Sequence, residues 1–383
     1  MTGFARLLEP PRLRTRGRDL DEMRRATWLE LFFDLVFVAA VSQLANALSA
    51  EPTTARFFEF LGLFVPVWWA WMGFTFYANR FDTDDLPYRL LLLCAMFGVA
   101  ALATTIPSVF RGATEGFAIA YISVRLVLVT LYARASRHVP EARRLVRTFL
   151  LFFGLAILVW LASLAFEAPW AFVFWGVALC LELAAPIRAW RFLPDAPIDP
   201  RHLPERFGLL TLIVLGESVL AVVLGVSQVS WDARSAATAA TGFTVAAALW
   251  WICFDFLDEG ALTARGIFGG LTYTYMNYFV VVGLAALGAG VKLAILGEDG
   301  TSWVLSAGLA LTMVGLGVIQ LVAGTVVVDT DVVLRLLTAA IALVLIPFGL
   351  SPLAVISIFA AVLVAQVVYE LARHETHTHE AQI

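Results

Sequence analysis

Long apolar segments dominate this sequence and recur from residue 28 almost to its end. Each is about 20 residues long, which is the length of α-helix that crosses a bilayer, and none shows the strict alternation of barrel strands. Only 15% of the residues are charged, whereas soluble domains carry roughly 25%. The sequence therefore predicts an all-α, polytopic transmembrane helical bundle. Its predicted spans number twelve and are 28–48, 56–79, 86–107, 117–135, 146–166, 170–188, 207–228, 235–256, 271–292, 302–324, 333–348 and 352–372.

Basic residues are distributed unevenly around these spans. Seven arginines precede the first span, and the basic residues on the opposite side are Arg56, Arg111, Arg234 and Lys292. Because cytoplasmic segments are enriched in basic residues, both termini are predicted to be cytoplasmic. The charged N-terminal segment leads directly into a full-length span and lacks the layout of a cleaved signal peptide. It is therefore predicted to be a retained basic arm.

A shift of about 183 residues aligns parts of the second half of the chain with the first. It places Asp34 on Glu217 and the following Trp68–Trp69 pair on Trp250–Trp251. With six spans in each half, the repeats would be parallel; a miscount of one span in each half would make them inverted. The predicted organisation is a basic cytoplasmic arm at 1–27, a six-helix repeat at 28–188, a cytoplasmic linker at 189–206, a second six-helix repeat at 207–372 and a cytoplasmic tail at 373–383.

Charged side chains inside a span mark candidate functional positions, because each costs about 2.5–3.5 kcal/mol on insertion scales. Glu30 also completes a capping box with Thr27, so helix capping is an alternative role for it. Asp34 lies one turn deeper. The alternative to a functional role is that water or an arginine of the basic arm solvates its carboxylate. The candidates within spans are Glu30, Asp34, Arg125, Glu182, Glu217 and Asp255.

Glu217 lies near the middle of its span, after Gly216 and before Ser218. A buried carboxylate there is predicted either to bind and release a proton or to donate an interhelical hydrogen bond. Arg125 cannot lose its charge and therefore needs an anionic partner. Asp34, Glu182 and Glu217 are all candidates for that partner, and a bound anion is the alternative.

Other chemistry is sparse in the sequence. Trp68 and Trp250 are predicted to serve in packing or interfacial belts, with a cation-binding cage as the alternative. The three cysteines lie in apolar segments without metal-ligand spacing, and the net charge of −4 disfavours nucleic acid as a partner. Phosphate-binding, metal-binding and nucleophile motifs are not found. We therefore predict no metal, no cofactor and no catalytic residues, and an enzyme is disfavoured.

Two parts of the sequence are distinctive. They are Trp28–Val38 and, in the second half, Glu205–Gly208 together with Leu215–Ser218. These segments resemble the low temperature requirement A (LtrA) family of bacterial membrane proteins, and the resemblance extends from about residue 20 to residue 370. It implies a bacterial cytoplasmic membrane and a family named for growth in the cold. It also implies, without assigning a role, that the signature positions are Glu30, Asp34, Arg206, Glu217 and Ser218.

These features together favour a secondary transporter of a small solute, coupled to protons. Asp34 and Glu217 would be its titratable pair, with Arg125 as counter-charge or anion contact, and its partners would be lipids and the solute or proton. One alternative is an ion channel or leak pathway that uses the same carboxylates for selectivity. Another is a non-transporting membrane protein, either a lipid-handling enzyme or a scaffold that supports growth at low temperature.

Overall fold

Helices account for almost all of the described structure. The computed structural model describes residues 10–14, 27–199, 202–230, 232–254, 266–298, 300–323 and 329–380. Within these ranges the α-helices are α1 (Trp28–Ala50), α2 (Thr54–Arg80), α3 (Leu86–Val109), α4 (Glu115–His138), α5 (Arg143–Ser163), α6 (Trp170–Arg188), α7 (His202–Ser227), α8 (Ala233–Phe254), α9 (Gly266–Leu296), α10 (Ser302–Ala323), α11 (Thr330–Leu345) and α12 (Pro352–Glu380). The strands β1 (Arg12–Leu13) and β2 (Phe81–Asp82) form a short antiparallel pair.

The described residues contain twelve helical segments that are long and apolar enough to cross a membrane. The eleventh reaches this length when the 3-10 turn Ile346–Phe348 is added to α11. Gly349 follows with φ of +59°, a left-handed conformation that suits glycine and ends the helix before α12 begins. The predicted fold class and the number of spans are therefore confirmed, whereas the internal repeat remains a prediction.

The chain divides into two compact units. The first comprises the described residues of Met1–Leu44 and Gly62–Arg206, and the second those of Ala45–Leu61 and Phe207–Ile383. In the first unit α3 packs on α4, α4 on α5, and α5 on α6. In the second, α10 packs on both α9 and α11, and α8 packs on α12. Consecutive helices are thus neighbours in most of these contacts.

The α9–α10 pair is the most closely packed in the second unit. A Cβ atom added at Gly308 would lie 2.6 Å from the backbone nitrogen of Leu287. One added at Gly283 would lie 2.5 Å from the hydroxyl oxygen of Thr312. Small residues therefore allow the two backbones to touch, which is a common way for helices to associate in lipid, where apolar burial gives little driving force.

Two segments outside the predicted spans are helical in the structure. Helix α7 begins at His202, so residues 202–206, which precede the predicted span, are helical. Polar residues at the start of α7 lower its hydropathy, and hydropathy therefore placed the first residue of this helix too late. Helix α12 extends to Glu380, so the predicted tail is helical over its described part, residues 373–380.

Candidate functional site

A buried ion pair joins α1 to α7 within the first unit. Arg206 Nη2 donates a hydrogen bond to Asp34 Oδ1 over 2.5 Å. The indole nitrogen of Trp71, on α2, donates to the same oxygen over 2.7 Å. All three side chains are buried. Among the described residues, neither Asp34 Oδ2 nor Arg206 Nε has a hydrogen-bond partner, so both retain bonding capacity.

Glu30 is the second carboxylate beside Arg206. Its predicted capping box is confirmed, because Thr27 N donates to Glu30 Oε2 over 2.8 Å and Glu30 N donates to Thr27 Oγ1 over 3.2 Å. The other carboxylate oxygen, Oε1, lies 3.6 Å from Arg206 Nη1 and 3.9 Å from Arg14 Nη2. Glu30 therefore caps α1 and also competes with Asp34 for Arg206.

His202 completes this group, which we call the Asp34 cluster: Glu30, Asp34, Trp71, His202 and Arg206. The imidazole Nε2 lies 3.8 Å from Glu30 Oε1, and Nδ1 lies 3.5 Å from Glu205 Oε2. The His202 side chain is 2% exposed, whereas that of Glu205 is 37% exposed. The imidazole therefore lies between a buried and a partly exposed carboxylate.

The end of α2 fixes the start of α7 and so helps to position the cluster. Asp199 Oδ1 accepts a hydrogen bond from His202 N over 3.3 Å, as residues that precede a helix commonly do. The side chain of Asn79 holds both backbone groups of Asp199: its Nδ2 donates to the carbonyl oxygen over 3.0 Å, and its Oδ1 accepts from N–H over 2.8 Å. This double contact anchors Asp199, which accepts from the first backbone N–H of α7, and so helps to hold Arg206 beside Asp34.

Arg125 forms a separate ion pair with Glu182. Its Nη2 lies 2.7 Å from Glu182 Oε2, and its Nε donates to Oε1 over 3.1 Å. The Tyr121 hydroxyl donates to Oε2 over 2.7 Å, and the guanidinium carbon lies 4.6 Å from the centre of the Phe153 ring. Both charged side chains are fully buried. Asp34, Glu182 and Glu217 were all open as partners of Arg125, and the contact is with Glu182.

The remaining candidates of the second half lie in the second unit. Glu217 is partly buried on α7. Ser218 is buried, and its hydroxyl donates to the Leu284 carbonyl oxygen over 3.4 Å. A Cβ atom at Gly288 would lie 3.0 Å from the Ser218 hydroxyl oxygen, so α7 and α9 are in close contact here. The structure thus places Asp34 and Glu217 in different units.

The two tryptophan candidates differ in their surroundings. Trp68 is buried on α2, with its ring centre 5.9 Å from that of Trp69. Trp250 is 46% exposed on α8. Trp250 thus lies where a lipid-facing residue is expected, whereas Trp68 belongs to the packed interior. Asp255 lies outside the described residues.

Sequence reasoning missed a second buried polar cluster, in the second unit. Arg335 on α11 donates to the Gln320 side chain on α10. On α12, Gln366 Nε2 donates to Glu370 Oε1 over 2.9 Å. Thr338 Oγ1, on α11, donates to Gln366 Oε1 over 3.3 Å. Arg335 and Glu370 are charged residues within predicted spans, so the criterion that selected Asp34 would have found them. The signal that would have found His202 is its place three and four residues before Glu205 and Arg206, on the same helical face.

These observations define a class of protein: a multi-pass helical membrane protein with several charged side chains buried inside it. The family described as bacterial low temperature requirement A protein (LtrA) matches residues 25–370 of the chain. The chain therefore belongs to the LtrA family. It is also similar to an uncharacterized protein of Rhizobium meliloti (strain 1021), with 28% identity over 292 residues that cover 73% of this chain and 70% of that protein.

Proposed function

We propose that this LtrA family protein is a secondary transporter of a small solute, coupled to proton movement, in the bacterial cytoplasmic membrane. Both termini would be cytoplasmic. The observation that carries the proposal is the shared arginine of the Asp34 cluster, which two buried carboxylates approach on adjacent turns of one helix. Membrane-embedded ionisable groups that retain bonding capacity are typical of ion and substrate pathways.

The shared arginine provides a simple way to couple a proton to a change of contact. Arg206 is 2.5 Å from Asp34 and 3.6 Å from Glu30. A proton on Asp34 would remove its negative charge and leave Glu30 as the nearest anionic partner of Arg206. Because the two distances differ by only about 1 Å, a side-chain movement is enough to exchange partners. A helix movement that follows this exchange would make the proton's arrival and the solute's passage interdependent.

Glu217 is the second carboxylate in the proposal. The repeat alignment pairs Glu217 with Asp34 in sequence, and Glu217 is partly buried in the second unit. Among the described residues, no atom lies within 4 Å of a Cβ atom built at the preceding Gly216, which is exposed on α7. We assign Glu217 the role in the second unit that Asp34 has in the first.

The Arg125–Glu182 pair has a different place in this proposal. Its partners lie on α4 and α6, where Arg125 Nε and the Tyr121 hydroxyl donate to the carboxylate, while Nη1 and Nη2 have no hydrogen-bond partner among the described residues. A pair that is mutually neutralised and fully buried is suited to hold helices together. We therefore assign it to the stability of the bundle.

Proton flux into proteoliposomes tests the proposal. Vesicles loaded with the pH-sensitive dye pyranine, with valinomycin to clamp the membrane potential, would receive a panel of amino acids, sugars, carboxylates and organic cations. We expect one solute class to cause a saturable proton flux, which Asp34→Asn and Glu217→Gln abolish. The matched control is Asp84→Asn, because Asp84 is half exposed in a surface ion pair with Arg89. This control is expected to retain the flux.

The same measurement separates the alternatives. A current that follows the voltage and does not saturate with solute would identify a channel. No solute-dependent flux for any class, with protein that remains folded in the vesicles, would favour a non-transporting membrane protein. Wild-type flux in both carboxylate variants would leave a transporter but would rule out the proposed coupling residues.

A further inference from the structure

We propose that His202 is a proton-binding residue and that it carries protons between the partly exposed Glu205 and the buried Glu30. The proton-binding site itself stands on the geometry alone. Its use in transport rests on the function proposed above. The ligand is a proton, and the site would connect the aqueous side of the membrane with the Asp34 cluster.

The geometry of the imidazole carries the inference. Each ring nitrogen lies within 4 Å of one carboxylate: Nδ1 is 3.5 Å from Glu205, and Nε2 is 3.8 Å from Glu30. Neither nitrogen has a hydrogen-bond partner among the described residues, and the ring is buried. Both distances exceed a hydrogen bond by less than about 1 Å. A small side-chain movement would therefore bring either nitrogen into bonding distance of its carboxylate.

The charges that face the ring allow it to be either neutral or protonated. On α1 it faces Glu30, which also lies 3.9 Å from Arg14. On its own helix it neighbours Glu205 and Arg206, and Arg206 is in turn held by Asp34. When the ring is neutral, the negative charges of Glu30 and Asp34 are balanced by the positive charges of Arg14 and Arg206. A proton on the ring would be balanced by Glu205.

One uncharged residue completes the surroundings of the cluster. Tyr88, in the first turn of α3, is buried and interacts electrostatically with Glu30, Arg14 and Arg206. Histidine is the side chain whose charge most readily changes in the physiological pH range. Among the groups that face one another here, the imidazole is therefore the best suited to gain and lose a proton.

Transfer through the ring conserves protons and needs no additional reactant. A proton delivered from the Glu205 side binds Nδ1 and gives an imidazolium. Release of the Nε2 proton to the Glu30 carboxylate then leaves a neutral ring that is protonated on Nδ1. The same steps in reverse return a proton from Glu30 to the Glu205 side, so the ring exchanges protons between the two carboxylates in either direction. Glu30 would pass the proton on to Asp34 while Arg206 exchanges partners.

Nitrogen NMR of a protein with one histidine tests the proton-binding site. The full-length chain would carry ¹⁵N-labelled histidine, with glutamine at the other four histidine positions, His138, His374, His377 and His379. In lipid nanodiscs we expect both protonation states of the His202 ring to be observed as the pH is lowered from 8 to 5. A ring that remains in one protonation state over this whole range would overturn the proposal.

Two variants test whether the neighbouring carboxylates act on the ring. Glu30→Gln and Glu205→Gln each remove one negative charge near the His202 ring, so each is expected to reduce the protonated fraction of that ring. Glu205 is partly exposed, so its variant gives the answer if Glu30→Gln fails to fold. Glu59→Gln is the control, because that residue is exposed on α2, and no change is expected. Equal effects of all three variants would contradict the relay.

Flux in proteoliposomes separates this inference from the proposed function. If His202 titrates and wild-type protein shows no solute-dependent proton flux, the site exists and the transport function is wrong. If the flux is present and His202→Gln leaves it unchanged, the transport function stands and the relay is wrong. The relay predicts at least tenfold slower flux for His202→Gln and normal flux for His138→Gln, which alters an exposed histidine.

Discussion

Replacing Glu182 with glutamine removes the carboxylate that neutralises Arg125 inside the first unit. Glutamine has almost the same shape and keeps an oxygen that can accept the hydrogen bond from Tyr121. The substitution therefore changes the charge balance of the site far more than its packing. Arg125 cannot shed its own charge, so an uncompensated cation would remain buried.

The size of the effect follows from the contact distance. Unit charges 2.7 Å apart attract each other by about 6 kcal/mol at an effective dielectric constant of about 20. Desolvation offsets part of this attraction in the native pair, and breaking one partner of a buried pair typically costs about 3–5 kcal/mol. We therefore expect Glu182→Gln to lower the free energy of unfolding by about 4 kcal/mol.

The double variant Arg125→Met, Glu182→Gln provides the control. It carries no buried charge at this site and still offers an acceptor to Tyr121, so we expect a cost of about 1 kcal/mol or less. Unfolding by sodium dodecyl sulfate in mixed micelles, followed by tryptophan fluorescence, would measure both values. A cost below about 1 kcal/mol for Glu182→Gln, or an equal cost for the single and double variants, would refute the reasoning.

Further predictions concern packing and pH. On α2, Gly73→Ala would place a Cβ atom 2.5 Å from Leu128 Cδ2 and 2.9 Å from Arg125 Nη1, and we expect it to cost about 1–3 kcal/mol in the same assay. A Cβ atom at Gly62, on the same helix, meets no described atom within 4 Å, so Gly62→Ala should be neutral or slightly stabilising. Equal losses would contradict this. Burial opposes ionisation of Asp329, but the hydrogen bonds from Arg373 and from the Thr330 backbone N–H, together with the positive charges of Arg373 and Arg335, outweigh it and lower the pKa of that carboxyl group. The contribution of ionised Asp329 to the free energy of unfolding should be complete above the ordinary carboxyl pKa of about 3.9 and disappear as the pH falls through the lowered value. On acidification the thermal midpoint should therefore fall more steeply in the wild-type protein than in Asp329→Asn. Parallel curves for the two proteins would disprove this prediction.

The helices were predictable because the bilayer fixes their length and composition. Every predicted span corresponds to a helix, and the ends differ by a few residues. The start of α7 was placed too late because Pro204 and Glu205 reduce the local hydropathy. The structural signal there is instead Asp199, whose side chain accepts a hydrogen bond from the first backbone N–H of the helix.

The pairing of charges was not predictable, because it depends on how the helices are rotated against one another. Arg125 and Glu182 are 57 positions apart in the chain, and Arg206 and Asp34 are 172 positions apart. Glu182 lies toward the end of its predicted span. Helix α6 has only 19 residues, however, and the position of Glu182 on it is fully buried.

Two functional candidates were missed for different reasons. His202 was outside the predicted spans, so it was not weighed as a membrane-embedded group. Arg335 satisfied the criterion that selected Asp34 and was overlooked, although it is also buried. The capping box at Glu30 was recognised because both of its hydrogen bonds are local in sequence. Local contacts could thus be derived from the sequence, whereas contacts between distant helices required the structure.

The most direct test of the account is proton flux through the double variant Asp34→Asn, Arg206→Gln. The substitutions remove both charges of the central pair together and keep side chains that can hydrogen-bond, so stability should stay near that of the wild-type protein. Measured in pyranine-loaded proteoliposomes, the account predicts a folded protein whose solute-dependent proton flux is lost. Wild-type flux in this variant would show that the Asp34–Arg206 pair only holds the helices together.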